Sequence, residues 1–221
     1  MIHKRELMED LAIYATGGFA KEVACLIDVI NKHTPTWNLI GFFDDFKPKG
    51  TKISHYGEVL GGMDCINSYS KRLNVVIAIG NPEAVKRVYE QINNDNIVFP
   101  NIIHPNVKCA DEETFQIGCG NIIQGGTFFS CDVKIGSFNV MNGNVVFGHD
   151  DVVGDFNAFM PAVRISGEVT IGELNYFGVG SIILQQIKIG NNIRLGAGSV
   201  LMTKPKNGNL YIGNPAKKFE F

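Results

Sequence analysis

The sequence predicts two folds in series, a small α/β domain built on a parallel sheet and then an all-β domain shaped as a parallel β-helix. Three observations support this prediction. Short apolar runs alternate with amphipathic stretches of helical period in the first hundred residues. From residue 117 to residue 201 every sixth residue is apolar. A related motif recurs every eighteen residues, as IGCGNI at 117, IGSFNV at 135, VGDFNA at 153 and IGELNY at 171.

The N-terminal domain, residues 1–104, is predicted to alternate strands with helices. An apolar run at 11–15 precedes Thr16-Gly17-Gly18 and an amphipathic helix at 21–31. Further strands are expected at 39–43, 75–79 and 97–99, with a second helix at 83–93. This alternation predicts a parallel sheet of the Rossmann-like kind. A linker is expected at 105–116.

The second domain, residues 117–221, follows from the period of six. An α-helix repeats near 3.6 residues and an isolated strand every two, so a six-residue repeat indicates short strands separated by regular turns. Three such repeats make one triangular coil of about eighteen residues. We expect one asparagine per coil to stack at a single corner, where the amide tolerates positive φ and hydrogen-bonds along the column. These are Asn121, Asn139, Asn157 and Asn175.

Composition restricts the possible functions. A chain of 221 residues with 45% apolar content can form one or two cores. The net charge of −2 provides no electrostatic footprint for nucleic acid or a membrane surface, and no apolar run is long enough to span a bilayer. The first ten residues lack a signal-peptide core, so we expect a cytoplasmic protein. Five cysteines without ligand-like spacing are expected to be reduced thiols.

Two features of the N-terminal domain are candidate ligand contacts. Gly17 and Gly18 lie where a strand turns into a helix, and exposed N–H groups at such a turn attract phosphate. Asp44 and Asp45 end the second predicted strand and could accept hydrogen bonds from a base or sugar. Spacing alone leaves open the alternatives that Gly17 and Gly18 form a tight turn with nothing bound, and that Asp44 and Asp45 are solvated loop carboxylates.

Specific segments carry a family resemblance. The combination of IYATGGFAKEV, GFFDDF and VVIAIG with a repeat region containing FGHDDVVGDF resembles the sialic acid O-acetyltransferase and nucleotide-aminosugar N-acetyltransferase family over nearly the whole chain. Those proteins are hexapeptide-repeat acyltransferases. The resemblance therefore implies a left-handed parallel β-helix, a sugar nucleotide held by the N-terminal domain, and acetyl-CoA bound between the subunits of a homotrimer.

The resemblance also implies which residues bind the acceptor substrate. They are Gly17, Gly18 and Phe19 beside the phosphates, Asp44 and Asp45 near the base, and Gly80. Four positions depart from the family pattern. Ala15 replaces the usual first glycine, Asn81-Pro82 follows Gly80 in place of Asp-Asn, and Ala158 stands where many members have a second histidine.

His149 is the candidate general base. It is the one histidine inside the repeat, and the other four precede it at positions 3, 33, 55 and 104. Transfer of an acyl group from a thioester to an amine needs a base, and neutral imidazole suits this near pH 7. Asp150 or Asp151 is expected to orient the ring, and the sequence leaves that choice open. The resemblance adds Asn142 as a residue that holds the substrate.

Gly167 lies eighteen residues after His149, hence in the same column about 4.8 Å away if the coils stack at strand spacing. Its missing side chain is predicted to open space beside the imidazole for the pantetheine arm. The Gly167 N–H is expected to donate to the thioester oxygen as it becomes an oxyanion. The alternatives are that His149 is a surface histidine without a catalytic role and that Gly167 is only another corner glycine.

The C-terminal segment resembles the ending of CoA-dependent members of the family. It implies a binding groove for the nucleotide half of acetyl-CoA, with Lys206 and Lys218 as further phosphate contacts. A solvated basic cap on the β-helix is the alternative. The cofactor-binding residues expected on this basis are Gly167, Gly196, Ala197, Lys204, Gly213, Asn214, Pro215 and Lys217.

Three classes of function remain open at this point. The leading one is acetyl-CoA-dependent N-acetylation of a nucleotide-linked amino sugar, with O-acetylation of a sialic-acid-like sugar as a close variant. A zinc carbonic anhydrase would need about three histidine ligands, and a repeat with one histidine does not supply them, so no metal is expected. The third class is a non-catalytic binding protein.

Overall fold

A computed structural model describes residues 8–220, which form two compact units. One unit comprises the described residues up to Gly80 together with Ala84–Pro105, and the other comprises Asn81–Glu83 with the described chain from Asn106 onward. Residues 1–7, which include His3 and most of the segment judged to lack a signal peptide, lie outside the described residues.

The N-terminal unit is built on a six-stranded sheet with the order β3-β4-β2-β1-β5-β6. Neighbouring strands are parallel except in the antiparallel pair β3 and β4. Its elements are β1 (Glu9–Tyr14), α1 (Gly18–His33), β2 (Trp37–Phe43), β3 (Lys52–Ile53), β4 (Gly57–Gly61), α2 (Met63–Asn67), β5 (Leu73–Ile77), α3 (Pro82–Gln91), β6 (Ile97–Val98) and, outside this sheet, β7 (Ile102–Ile103).

The sheet topology creates a crevice at one edge. β2 follows β1 on one side and β5 lies on its other side, so the connections leave β1 in opposite directions. Ligands of open parallel sheets bind outside the carboxyl ends of the strands at such a point. The centre of the sheet is fully buried, as Leu11, Ala12 and Ile13 show.

The predicted α/β fold is confirmed, and it includes a hairpin and a short helix that the sequence did not predict. The hairpin of β3 and β4 was missed because β3 has two residues and β4 begins and ends with glycine. α2 was missed because it has only five residues. The pairing of β2 with β4 depends on Gly41, which has φ +147°, and a Cβ there would come within 2.7 Å of the Glu58 carbonyl oxygen.

The second unit is a parallel β-helix with three faces, which confirms that part of the predicted fold. Each strand pairs in parallel with the strand one coil later, as Val140 does with Ala158. One face contains β10, β13, β16, β19, β22 and β24; the second contains β8, β11, β14, β17, β20 and β23; the third contains β9, β12, β15, β18 and β21. β25 pairs antiparallel with β24.

The strands of the β-helix are two or three residues long and are separated by regular corners. They are β8 (Lys108–Cys109), β9 (Gln116–Ile117), β10 (Ile122–Ile123), β11 (Phe128–Phe129), β12 (Lys134–Ile135), β13 (Val140–Met141), β14 (Val146–Phe147), β15 (Val152–Val153), β16 (Ala158–Phe159), β17 (Arg164–Ile165), β18 (Thr170–Ile171), β19 (Tyr176–Phe177), β20 (Ile182–Ile183), β21 (Lys188–Ile189), β22 (Arg194–Leu195), β23 (Val200–Leu201), β24 (Leu210–Ile212) and β25 (Lys217–Lys218).

The six-residue apolar period forms the core of the β-helix. Phe129 stacks on Phe147 with ring centroids 5.1 Å apart, and Phe159 stacks on Phe177 at 4.9 Å. The corners are made by residues of positive φ, which recur every six residues from Gly120 to Gly198. This regular alternation of inward apolar residues and left-handed corner residues holds every coil in register.

The predicted asparagine column is present, but its backbone geometry differs from the prediction. The Asn121 side-chain oxygen accepts from the Asn139 N–H at 2.8 Å, and the same bond repeats along the column. The positive φ falls on the residue before each asparagine, such as Phe138, and not on the asparagine itself. The expectation of positive φ was wrong because the preceding residue makes the corner, which leaves the amide free to point inward.

The β-helix also begins earlier than predicted. β8 lies within the expected linker at 105–116, and it pairs with β11 through Lys108 and Phe128. The linker was assigned from its prolines and acidic residues, which mask a strand of only two residues. Within residues 8–220 no helix has the length and apolar content needed to cross a bilayer. In the same range no group of three His, Cys, Asp or Glu side chains is arranged to hold a metal ion.

Candidate active site

His149 occupies a corner of the β-helix, separated from the end of β14 by one residue and directly before the corner residue Asp150, whose φ is +58°. Its Nδ1 lies 2.8 Å from Asp150 Oδ2, and 53% of its side-chain surface is exposed. The hydrogen bond to Asp150 is the main reason why the pKa of His149 is raised above its ordinary value. Since an ionised carboxylate only accepts, this contact favours the neutral tautomer with the proton on Nδ1, in which Nε2 has a free lone pair.

Gly167 lies one coil above His149, directly against the imidazole. A Cβ at Gly167 would fall 2.4 Å from His149 Nε2. The Glu168 N–H donates to the His149 carbonyl oxygen at 2.7 Å, which ties the two turns together. The expected open space beside the imidazole is therefore filled by the ring itself. The glycine lets the ring lie flat on the next coil.

Asp150 and Asp151 point in opposite directions. Asp150 lies at the surface and contacts His149, whereas Asp151 is fully buried in the core of the β-helix. Asp151 Oδ1 accepts from the Val169 N–H at 2.9 Å, and its Oδ2 has no hydrogen-bond partner among the described residues. Burial raises the pKa of Asp151 to about 7. The sequence could not assign these two positions, and the structure assigns the ring contact to Asp150.

Asn142 lies at the neighbouring corner of the coil that carries His149. It follows β13, so β14 separates it from His149 along the chain. Its Nδ2 is 3.6 Å from Met160 Sδ, and its backbone N–H donates to the Phe159 carbonyl at 2.9 Å. The structure therefore does not join Asn142 to the imidazole. Ala158, the position of a second histidine in many relatives, is buried in β16.

The C-terminal segment folds back on the last coils of the β-helix. Gly213, with φ +106°, donates its N–H to Ser199 Oγ at 3.0 Å in the turn between β24 and β25. The Asn214–Pro215 peptide bond in this turn is cis. The predicted cofactor residues Gly196 and Ala197 follow β22, which pairs with β24.

The lysines of this segment are surface residues. Lys204, Lys206, Lys217 and Lys218 are all exposed, and Lys218 forms an ion pair with Glu220 at 3.1 Å. Lys217 stands in β25, opposite Ile212 of β24. Three exposed ammonium groups thus remain near the end of the β-helix without a carboxylate within 4.0 Å among the described residues.

A pocket of about 330 Å³ lies at the crevice of the N-terminal sheet. It opens where β1, β2 and β5 end, which is the place that the topology favours for a ligand. The volume lies at the lower end of the range for small-molecule sites. Its lining consists of Tyr14, Ala15, Asp44, Asp45, Phe46, Ile79, Ala84, Arg87, Val88 and Gln91.

Both predicted acidic residues line the pocket, yet each carboxylate oxygen already accepts a hydrogen bond from the protein. Asp44 accepts from Thr16 Oγ1 at 2.5 Å and from the Phe46 N–H at 2.8 Å. Asp45 accepts from the Tyr14 hydroxyl and from the Met63 N–H at 2.7 Å. Burial and the contact with Asp45 raise the pKa of Tyr14. The acidic pair thus fixes the loops around the pocket.

The predicted glycine turn lies at the start of α1. Gly17 is the residue before the helix, with φ −72° and no side-chain cap. A Cβ at Gly17, Gly18 or Gly80 would meet no atom within 4 Å, so open space surrounds these positions. Phe19 lies in the first turn of α1 and is half-buried. Ala15 has φ +94°, a conformation that glycine adopts at lower cost, which accounts for the glycine usual at this position in the resembled family.

Arg87 and Gln91 line the same pocket and were not predicted. They lie on α3 with Ala84 and Val88, at positions 84, 87, 88 and 91. This spacing places four side chains on one face of a helix, and it is the signal that could have identified them. In the described part of the chain no carboxylate lies within 4.0 Å of the Arg87 guanidinium.

Comparisons with known proteins agree with this architecture. The PglD N-terminal domain family matches residues 10–92. No curated protein sequence matched the chain. Among solved structures, WeeI from Acinetobacter baumannii AYE is 27% identical with a TM-score of 0.84, and the match covers 96% of this chain and 100% of that one.

Two further structures come from acetyltransferases or contain CoA. The acetyltransferase domain of PglB from Neisseria gonorrhoeae FA1090, in complex with acetyl coenzyme A, is 24% identical with a TM-score of 0.85 over 96% of this chain and 100% of that one. PerB from Caulobacter crescentus, in complex with CoA and GDP-perosamine, is 23% identical with a TM-score of 0.85 over 96% and 97%. The resemblance predicted from the sequence is thereby confirmed: residues 10–92 match the PglD N-terminal domain, and the chain shares its fold with these three solved structures.

Proposed function

We propose that this protein transfers the acetyl group of acetyl-CoA to the amino group of a nucleotide-linked amino sugar, with His149 as general base. The observation that carries the proposal is the fixed imidazole, with Nδ1 held by Asp150 and Nε2 against the Gly167 turn. PerB, which has the same fold, was solved with CoA and GDP-perosamine. An amino sugar on a nucleotide is therefore the acceptor class that we favour.

The proposed reaction is direct transfer. Nε2 of His149 removes a proton from the acceptor amine as the nitrogen attacks the thioester carbonyl carbon. The new C–N bond forms, the C–S bond breaks, and the proton passes from His149 to the departing thiolate. Asp150 stabilises the imidazolium that exists between these two proton transfers. No covalent acyl-enzyme is needed, because positioning of both substrates can supply much of the rate.

Gly167 has a second role in this proposal. Its N–H has no acceptor among the described residues, although the neighbouring Glu168 N–H is bonded to His149. An unpaired backbone donor next to the base suits the developing oxyanion of the thioester. The Gly196–Ala197 turn, Gly213-Asn214-Pro215 and the exposed Lys204 and Lys217 are then available for the nucleotide half of CoA.

The N-terminal pocket is proposed to hold the nucleotide part of the acceptor. The uncapped start of α1 at Gly17 and Gly18 offers N–H donors for the diphosphate. Arg87, whose guanidinium has no carboxylate within 4.0 Å among the described residues, offers a bidentate cation. Phe46 is 96% exposed at the rim, where its ring can stack on a base. Asp44 and Asp45 keep acceptor capacity for base or ribose groups. Asn142 is retained in the proposal as a contact to the substrate.

The test is a thiol-release assay with acetyl-CoA and a panel of GDP-, UDP-, dTDP- and CMP-linked sugars, each with and without an amino group. We expect release only with an amino sugar, and an N-acetylated product by mass spectrometry. His149→Gln should abolish that release, whereas His55→Gln, which alters an exposed histidine of the N-terminal unit, should leave it unchanged.

Two results would contradict the proposal. Thiol release with sugars that lack an amino group would indicate O-acetylation. Absence of turnover with every nucleotide sugar, combined with no calorimetric binding of acetyl-CoA, would indicate a non-catalytic protein.

A further inference from the structure

Asp151 is a carboxylic acid in a column of the β-helix core whose neighbouring residues are aliphatic. The residues one coil before and one coil after it are Val133 and Val169, and Ile187 follows in the next coil. Val133, Asp151 and Val169 have no exposed surface. Hydrophobic packing alone would therefore place a valine at position 151, and burial of a carboxyl group there costs free energy.

The contacts of Asp151 link the two turns of the candidate active site. Its Oδ1 accepts from the N–H of Val169, which follows Gly167 and Glu168. On its own coil Asp151 follows His149 and Asp150 directly. The side chain thus bridges the turn that carries the imidazole and the turn that carries the glycine against which the imidazole packs.

The asparagine column performs the same kind of bridging at another corner. There each side-chain oxygen accepts the N–H one coil later, as Asn157 does from Asn175 at 3.0 Å. An asparagine amide also donates, for example from Asn157 Nδ2 to the Gly172 carbonyl at 2.9 Å. Asp151 Oδ2 makes no such bond among the described residues. A carboxylate in place of an amide therefore brings a charge to this corner, and the N–H groups of Val169 and Gly148 favour its ionised form.

We propose that Asp151 is a positioning residue of the acyl-transfer site, which fixes the Gly167 turn against the His149 imidazole and places a buried negative charge beneath it. This inference rests on the proposed function of His149. Two consequences distinguish it from a purely structural role. The charge should support the protonated imidazole, and the bridge should preserve the distance between the base and the Gly167 N–H.

The charged surroundings of Asp151 are few. His149 and Asp150 lie on its own coil, Glu168 lies on the next coil, and Lys134 of β12 donates its backbone N–H to the Asp151 carbonyl while its side chain is exposed. Cys131 and Asp132 occupy the corresponding turn one coil earlier. After the hydrogen bond to Asp150, Asp151 is one of the acidic groups that raise the pKa of His149. Because burial raises the pKa of Asp151 to about 7, its charge is present above that pH and is lost below it.

The experiment compares Asp151→Asn and Asp151→Val with the wild-type protein. Asn keeps the acceptor for the Val169 N–H and removes the charge, whereas Val removes both and matches the neighbouring residues of the column. Ser181→Val is the control, because Ser181 is also fully buried, has a hydroxyl without a hydrogen-bond partner among the described residues and lies at a different corner. The readouts are the imidazole titration of His149 by NMR, the pH profile of kcat, and the KM for acetyl-CoA.

We expect both Asp151 variants to lower the pKa of His149. Asp151→Asn should keep kcat within about threefold of wild type at high pH. Asp151→Val should lower kcat by about tenfold or more with little change in KM, because the base is no longer held in register with the Gly167 turn. Ser181→Val should alter neither the titration nor kcat.

An unchanged His149 titration in both variants, with a wild-type pH profile, would overturn the inference. A loss of activity in Asp151→Val that follows the folded fraction, with an unshifted titration in Asp151→Asn, would also overturn it, since that pattern indicates structure alone. The NMR titration does not depend on turnover. If His149 shifts as expected but no nucleotide amino sugar is acetylated, the proposed function fails while the coupling of Asp151 to His149 stands.

Discussion

At the scale of residues, three adjacent side chains have three different environments. His149 lies on the surface, Asp150 forms the left-handed corner and contacts the ring, and Asp151 is buried. The corner at Asp150 causes this difference, because its positive φ turns the chain so that Asp151 points into the core. One short segment therefore supplies the proposed base, a carboxylate that contacts its ring, and a buried acid.

Removal of the imidazole should stop the chemistry and leave the fold intact. We expect His149→Ala to lower kcat by about 10²- to 10⁴-fold with an almost unchanged Kd for acetyl-CoA, as loss of a general base should. The ring is half-exposed, so the core does not depend on it. Turnover and calorimetric binding of acetyl-CoA measure the two effects separately. A variant with near wild-type kcat would remove His149 from the mechanism.

Loss of the Asp150 carboxylate should shift the acidic limb of the pH profile. The base must be neutral, so kcat rises with pH through the pKa of His149, which Asp150 raises. Asp150→Asn lowers that pKa, so the limb should move to lower pH. The maximal kcat should also fall, because the imidazolium loses its stabilising partner. The measurement is kcat over about pH 5 to 9, with Asp155→Asn as a control from the next corner, and an unmoved limb would contradict the assignment.

The buried Asp151 should make stability depend on pH. Its folded-state pKa of about 7 lies above the ordinary value of 3.8, so the folded state binds the proton more tightly and loses stability as pH rises through this interval. The Asp151→Asn variant has no carboxyl group at this position, so its stability does not fall with pH for this reason. Its advantage over wild type in free energy of unfolding should grow by about 2 to 3 kcal/mol between about pH 5 and pH 8. Urea denaturation at both pH values, at equal protein concentration, tests this expectation, which a constant difference would contradict.

At the scale of elements, the turn from β1 to α1 leaves open space at the start of the helix. Open space surrounds Gly17 and Gly18, and no side chain caps the start of α1. The Thr16 hydroxyl donates to Asp44, and the Tyr14 hydroxyl donates to Asp45. The acidic pair therefore anchors this turn to the end of β2. The same carboxylates that were predicted as ligand contacts also build the pocket.

A bulky side chain at Gly17 should block the acceptor and spare the fold. The backbone there is compatible with any residue, and a Cβ meets no atom within 4 Å. We expect Gly17→Val to raise the KM for the acceptor at least about tenfold by preventing the backbone from approaching a phosphate, with an unchanged Kd for acetyl-CoA. Glu22→Val, at an exposed position of α1, is the matched control.

Asp44→Ala should also raise the KM for the acceptor substrate. It removes the carboxylate that accepts hydrogen bonds from Thr16 and Phe46, so the loops around the pocket lose their anchor. Calorimetric titration with nucleoside diphosphate gives the result directly. Unaltered nucleotide affinity in both Gly17→Val and Asp44→Ala would remove the acceptor site from this pocket.

At the scale of the whole molecule, we propose that the protein is a homotrimer with acetyl-CoA bound between subunits. His149 is half-exposed on a corner of the β-helix, so a single chain offers one side of a site. Several large apolar side chains of this unit are also exposed, and surfaces of this kind mark interfaces. They are Val152, Val179, Ile182, Leu184, Met202 and Ile212.

Sedimentation of the active protein should give the mass of three chains, each of 24.3 kDa. Activity should fall at dilutions that dissociate the oligomer, because each site then loses the wall supplied by its neighbour. A charged substitution in the apolar surface, such as Val179→Asp, should dissociate the trimer and lower kcat together, whereas Lys188→Asp at an exposed polar position should not. An active monomer would contradict the proposal.

The sequence by itself determined the fold class and left one candidate for the base within the repeat. A period of six allows only a winding chain of short strands, and a single histidine within it left one imidazole to consider. The lining of the N-terminal pocket could not be predicted from the sequence, because it is formed by contacts between segments that are distant along the chain. Arg87 and Gln91 reach it from α3, while hydrogen bonds from Thr16 and Tyr14 occupy the acidic pair.

The tertiary structure alone decided between Asp150 and Asp151. A repeat pattern specifies which residues face the core at strand positions, but the direction of a side chain after a corner depends on the backbone angle of that corner. The φ of +58° at Asp150 sends the next residue inward. For the same reason the space beside Gly167 could not be assigned from spacing, because the imidazole that fills it comes from the preceding coil.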